Sequence, residues 1–162
     1  MRIGIVGDTH NNLKNVRRIV ELFNESGVER VIHTGDISQP KTLDALTNLS
    51  MPMYGVWGNN DQGERLELAA RAAQLGFIFC EPPLQLSWHE RSILVVHDPL
   101  EMRGVLADHH ELVLHGHTHL YRHEQQGRRL IFNPGECAGH LAGYNAVGIV
   151  NLENLSASLM KF

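Results

Sequence analysis

Apolar positions along the chain follow one rhythm in its first half and another in its second. Residues 2–6 (RIGIV), 30–34 (RVIHT) and 53–57 (MYGVW) are apolar runs of strand length, each followed by a polar loop and a stretch of helical period. Over 13–26, Val16, Ile19, Val20 and Phe23 are spaced for one buried helix face, and Gly27 is placed to stop the helix. A short helix over 40–49 and an Ala-rich helix over 63–75, ending at Gly76, complete three strand-loop-helix units, the pattern of a largely parallel α/β sheet. Beyond Glu81-Pro82-Pro83 the segments shorten: 84–89, 91–97, 111–115, 129–133, 145–151 and 155–161 read as strands, with one helix near 99–108. A second, partly antiparallel sheet is expected. Two mixed sheets packed face to face and flanked by helices give a four-layer α/β/β/α sandwich, a single domain over 1–162 with no repeat or linker.

Composition narrows the function classes. The net charge of −4 provides no basic footprint for long nucleic acid. The start MRIGIVGDTH runs straight into a strand without signal-peptide regions, and no stretch reaches the ~18 apolar residues of a membrane span. A cytoplasmic protein without a membrane partner is expected. Cys80 and Cys137 lack paired spacing and read as reduced thiols.

The chemistry lies at the strand ends. Asp8-Thr9-His10 follows the first strand, Gly35-Asp36 the second, Gly58-Asn59-Asn60-Asp61 the third; His97 follows ILVV and Gly116-His117-Thr118-His119 follows LVLH. In an open α/β sheet the crevice beyond the carboxyl ends of the strands collects such groups. Carboxylates, imidazoles and an amide oxygen suit Mn, Fe or Zn, and two ions ~3.5–4 Å apart suit in-line phosphoryl displacement. Singly, each residue has a plainer role: Asp8 or Asp36 as a cap, His97 as a half-buried strand-end histidine. The ordered set is what points to a metal centre.

GDTH at 7–10, GD at 35–36, GNND at 58–61, His97, GHTH at 116–119 and NPG at 133–135 stand in the order found in the calcineurin-like metallophosphoesterases. The chain resembles their small single-domain bacterial and archaeal phosphodiesterase branch over nearly its whole length. The resemblance implies one divalent ion on Asp8, His10, Asp36 and His119, and a second on Asn59, His97 and His117, with Asp36 bridging. It implies a hydroxide between the ions as nucleophile and a small or nucleotide-like phosphate ester as substrate. Mn²⁺ is the first expectation for both ions, with Ni²⁺, Fe²⁺ or Zn²⁺ as alternatives. Asp36, Asn59, Asn60 and Asp61 are expected nearest the chemistry. No Arg or Lys lies within the motifs to clamp a monoester dianion, which favours a diester over the alternative phosphomonoesterase. A retromer subunit of the same fold serves in protein assembly, so a non-catalytic scaffold is the competing class.

Several positions depart from the family pattern. Position 60 is Asn where the larger family has a histidine placed to protonate the leaving oxygen, a task an amide cannot perform. Asp61 is expected to orient its loop through the backbone or to order a water. Asp98-Pro99 replaces the branch's Gly-His and reads as a helix cap. Asn11 and Glu136 replace Gly and Ser; Asn11, Asn60 and Glu136 are the substrate-binding candidates, with Cys137 and His140 beside Glu136 in a pocket wall. His33, His89, His109, His110, His115 and His123 are assigned to surface or packing. Trp88 or the last strand is the candidate surface for a homo-oligomer.

Overall fold

The computed structural model describes residues 1–162. In chain order the elements are β1 (Arg2–Val6), α1 (Leu13–Ser26), β2 (Arg30–His33), α2 (Pro40–Ala45), β3 (Met53–Val56), α3 (Arg65–Gln74), β4 (Ile78–Cys80) and β5 (Leu84–Trp88). There follow β6 (Arg91–Val95), β7 (Leu112–Leu114), β8 (Arg122–Gln126), β9 (Arg129–Asn133), β10 (Ala146–Asn151) and β11 (Ser156–Lys161). One sheet has the order β11-β10-β1-β2-β3-β4 and the other β5-β6-β7-β9-β8. Strands β1 to β4 are parallel, as are β6, β7 and β9; β5, β8, β10 and β11 join antiparallel, so both sheets are mixed.

The alternation of side chains along each strand divides the core into layers. Ile3, Ile5, Ile32 and Val56 of the first sheet meet Ile93, Val95, Leu112, Leu114 and Phe132 of the second in a dry middle layer. On the other face of the first sheet, Val6 and Val31 pack against Val16, Ile19 and Phe23 of α1 and Leu68 of α3. Asn12 caps α1 by accepting the Asn15 amide at 3.2 Å, and Gly27, at φ 69°, ends it. The outer face of the second sheet is covered by Met102, Val105 and Leu106 over Leu94, Val96, Val113 and Ile131. The α/β/β/α order therefore stands, with a thin fourth layer.

That thinness corrects one expected element: the helix near 99–108 is a single 3-10 turn, Pro99–Met102. Gly104 takes φ 82° and turns the chain before a second helical turn forms. The helix expected over 40–49 ends at Ala45, and that over 63–75 begins at Arg65 after a 3-10 turn, Asn59–Glu64, which carries the third motif. Two further strands, β4 and β8, join the sheets beyond those expected. β4 is only three residues, and β8 (RHEQQ) is a polar edge strand with no apolar alternation to reveal it. No helix is long and apolar enough to cross a membrane, and both cysteines are free.

Candidate metal centre

The carboxyl ends of β1, β2, β3, β6 and β7 deliver the candidate ligands to one rim of the sandwich. The backbone there is held against its preference. Asp8, His10, Asp36, His117 and His119 all have positive φ, between 40° and 66°, a conformation that costs non-glycine residues about 1–3 kcal/mol each. Cross-links between loops offset this: the Asp8 amide donates to Gly35 O at 3.0 Å and the His10 amide to Asp36 O at 3.1 Å. Gly58 is required by space, because a Cβ there would lie 2.2 Å from Asp36 Oδ1 and 2.5 Å from its amide nitrogen. Gly58→Ala is expected to displace the Asp36 loop and cost at least about tenfold in metal affinity, read by calorimetric titration. Unchanged affinity would show that the loop can yield.

The ligand atoms of Asp8, His10, Asp36 and His119 all lie within 4.8 Å of one another. Beside them, Asn59 Oδ1 is 2.9 Å from both His97 Nε2 and His117 Nδ1, which are 3.3 Å apart. Asp36 joins the groups, with Oδ2 3.3 Å from His10 Nε2 and Oδ1 3.4 Å from His97 Nε2. Donor atoms sharing an ion at ordinary bond lengths stand roughly 3.0–3.5 Å apart, so these separations suit ligands around two cations.

The outer contacts of the imidazoles agree. His97 Nδ1 meets Thr34 O at 2.8 Å, so this nitrogen carries a proton and Nε2 is the atom left facing the cluster. His119 Nδ1 is 3.3 Å from Glu136 Oε2, leaving Nε2 toward Asp8, and His117 Nε2 is 3.7 Å from Asp98 Oδ2, leaving Nδ1 toward Asn59. His10 Nε2 is buried with no hydrogen-bond partner, its approach to Asp36 lying off the hydrogen-bond direction. An orphaned buried nitrogen among carboxylates fits a divalent cation in the first cluster, and the amide oxygen and imidazoles of Asn59, His97 and His117 offer donors of the same kind for a second.

Protonation follows from the crowding. Burial pushes Asp8 up to about 7, against the pull of His97. For His97 burial opposes the charge, but Asp36 outweighs it and raises the imidazole to about 9. Asp36 is buried too, yet His10 and His97 hold it below the usual carboxylate range. His97 is thus protonated at pH 7, and a cation must displace that proton. Affinity is expected to strengthen as pH rises from about 6 toward 9, with proton release measurable by calorimetry in buffers of differing ionisation enthalpy. Uptake without proton release at pH 7 would contradict this arrangement.

The remaining candidates divide. Asp61 is fully buried; Oδ1 accepts the amides of Ile37 (2.8 Å) and Ser38 (2.6 Å), and Oδ2 those of Gly58 (2.7 Å) and Asp36 (3.1 Å). Of its two expected roles, loop orientation is the one its contacts match. Asn60 donates from its backbone to Asp36 Oδ1 at 2.9 Å and from Nδ2 to Oδ2 at 2.8 Å. Asp98 caps its turn through the Leu100 amide at 2.8 Å, as expected.

Of the pocket expectations, Asn11 and Cys137 are placed elsewhere and Glu136 lies in the pocket wall. Asn11 Oδ1 accepts from Thr42 Oγ1 at 2.9 Å and does not line the pocket beside the centre. Cys137 is fully buried in the helix-side core, its Sγ donating to Ala146 O. Glu136 does border the shallow pocket formed with His10, Asn60, His119, His140 and Leu141, but it is 1% exposed, and its oxygens accept the Leu141 and His140 amides. It anchors the wall and orients His119 more than it offers itself to a ligand.

Other contributors went unseen in the sequence. His33 is buried, its Nδ1 accepting the Gly35 amide and its Nε2 meeting Thr9 Oγ1 at 3.2 Å, which ties the first two motifs from beneath. Arg65 lines a second pocket with Asn59, His97 and His117, where its guanidinium lies over Trp57 and pairs with Glu81. A cation does therefore border the centre, although none stands within the motifs.

Comparison with known proteins supplies the lineage. Residues 1–155 match the model of the calcineurin-like phosphoesterase superfamily domain. The phosphodiesterase MJ0936 of Methanocaldococcus jannaschii is 33% identical over 158 residues, covering 94% of each chain. The solved structure of an archaeal phosphodiesterase superposes with a TM-score of 0.90 at 32% identity over 100% of both chains. Vps29 of Entamoeba histolytica, solved with Zn²⁺, shares the fold with a TM-score of 0.65 at 15% identity over 100% of this chain and 98% of its own.

Proposed function

Since the chain belongs to the calcineurin-like phosphoesterase superfamily, we propose that it is a dinuclear-metal phosphodiesterase acting on a small phosphate ester. The observation that carries the reading is the approach of Asp36 to both the Asp8, His10 and His119 group and the Asn59, His97 and His117 group. In this reading Asp8, His10, Asp36 and His119 hold one cation and Asn59, His97, His117 and Asp36 the other, with Mn²⁺ the preferred ion among Mn²⁺, Ni²⁺, Fe²⁺ and Zn²⁺. Divalent cations supply, when bound, the acidification of water and the neutralisation of phosphoryl charge. The chain's own contribution is to fix the ligands: Asp61 braces the Asp36 loop, and Thr34 and Glu136 set the imidazoles of His97 and His119. A single domain over 1–162 in the cytoplasm completes the reading, supported by one fold over the whole chain and two free thiols.

A diester is favoured because Arg65, which shares a pocket with Asn59, His97 and His117, is already paired with Glu81. The metal-loaded protein is expected to cleave bis(p-nitrophenyl) phosphate faster than p-nitrophenyl phosphate. The reverse order would establish a monoesterase, and no cleavage of either would favour the non-catalytic scaffold.

Asn60 shapes the substrate range. It touches Asp36 at the pocket beside the centre but has no proton to give near neutral pH. Good leaving groups are therefore preferred. Asn60→His is expected to raise turnover of an alkyl ester about tenfold and that of a nitrophenyl ester by much less, a difference that leaving-group kinetics would resolve. Equal gains on both would contradict a missing acid.

A further inference from the structure

Four of the seven large hydrophobic side chains that the fold leaves exposed, Leu120, Tyr121, Leu141 and Tyr144, line a single groove. Such side chains scattered singly mean little, but gathered in one concave surface they mark a binding site. The groove measures about 370 Å³, and six of its ten lining residues are hydrophobic. It adjoins the metal centre: His119 and Leu141 line both this groove and the shallow pocket that contains His10 and Asn60.

Its walls have defined origins. Leu120 and Tyr121 directly follow the GHTH motif, and the Tyr121 ring packs edge-on against buried Phe132, centroids 6.2 Å apart. The opposite wall comes from the segment between Gly139 and Gly143, both in left-handed conformation, whose His140 and Leu141 amides are gripped by buried Glu136. The Tyr144 amide donates back to Leu141 O at 3.2 Å. The departure from the family pattern at position 136 thus places an apolar wall beside the centre. Lys161 borders the groove and has no ion-pair partner in the protein.

We propose that this groove is the subsite for the non-leaving arm of the diester, and that it selects a flat aromatic arm of the nucleoside class. The inference rests on the phosphodiesterase reading. A phosphate at the cations lies beside His119, and one ester arm extends over His119 and Leu141 onto Tyr121 and Tyr144. Tyrosine and leucine surfaces bury a planar ring without demanding its hydrogen-bond pattern, so the selection is for shape and apolar face. Lys161 favours arms that carry acceptor oxygens.

The test compares two diesters with the same leaving group, the p-nitrophenyl ester of thymidine monophosphate and methyl p-nitrophenyl phosphate, using the Mn²⁺-loaded full chain. The wild type is expected to favour the nucleoside ester at least about tenfold in kcat/KM, mainly through a lower KM. Tyr144→Ala and Leu120→Ala should each remove most of that preference while leaving the methyl ester within about twofold, since neither side chain lines the pocket with His10 and Asn60. Equal cleavage of both esters by the wild type, or a preference that survives both variants, would overturn the subsite while leaving the phosphodiesterase intact. Failure to cleave either ester would remove the phosphodiesterase reading itself and the subsite with it. A wild-type dimer that the variants convert to monomers, with the preference unchanged, would reassign the groove to a second copy of the chain.

Discussion

Asp36→Asn is expected to lower kcat/KM on a phosphodiester about a thousandfold, equivalent to about 4 kcal/mol, and to release at least one cation. The substitution preserves volume, and the backbone amide of Asn60 still finds an acceptor in the carboxamide oxygen that remains. It removes the charge and the second oxygen through which one side chain faces both His10 and His97. Its signature extends beyond activity: without the Asp36 carboxylate the His97 imidazole, raised to about 9 against its burial, should titrate markedly lower in the metal-free protein. The sign is definite, because Asp36 is the main influence favouring the charged ring and burial opposes it. Activity within about tenfold of wild type, or a His97 titration that does not move by NMR, would contradict the shared role of Asp36.

The second large effect is structural. Asp61→Ala strands the buried backbone amides of Asp36, Ile37 and Gly58 and the half-buried amide of Ser38, all of which now donate to one carboxylate. Each lost partner costs roughly 1–3 kcal/mol before relaxation, and a net loss of about 4 kcal/mol is expected. For a chain of this size that corresponds to a Tm lowered by about 8–16 °C in calorimetry. Asp61→Asn retains one acceptor oxygen and should fall between. Because the same amides set the positive φ of Asp36, the Ala variant should also bind cations weakly even at temperatures where it remains folded. An unaltered Tm would mean that water replaces the carboxylate at no cost.

The sequence disclosed the centre better than its supports, and for a physical reason. Ligand residues sit at strand ends, where a short apolar run followed by a glycine or an acid is visible without knowledge of the fold; GDTH and GHTH are examples. Bracing residues act across long sequence separations. His33 reaches Thr9, Thr34 reaches His97 and Glu136 reaches His119, and nothing in a linear pattern announces such contacts. Glu136 and Cys137 are neighbours that strand-like alternation cannot place, because they stand in a loop tied to Asn145 by one isolated bridge. β8 escapes a sequence reading because an edge strand of Arg, His, Glu and Gln buries little. The helix near 99–108 reads too long because Asp98-Pro99 is a sound start followed by a glycine that ends it early. The exposed aromatic groove is invisible for a similar reason. Leu120, Tyr121, Leu141 and Tyr144 occupy two segments that are separate in the sequence and meet only in the folded chain.

The central claim is that two cations, held jointly through Asp36, are needed for hydrolysis. It is tested most directly by adding Mn²⁺ in measured equivalents to metal-stripped protein while following phosphodiester cleavage. The account predicts that activity rises with the second equivalent and saturates at two ions per chain. Full activity at one equivalent, or cleavage by the stripped protein in the presence of chelator, would contradict it.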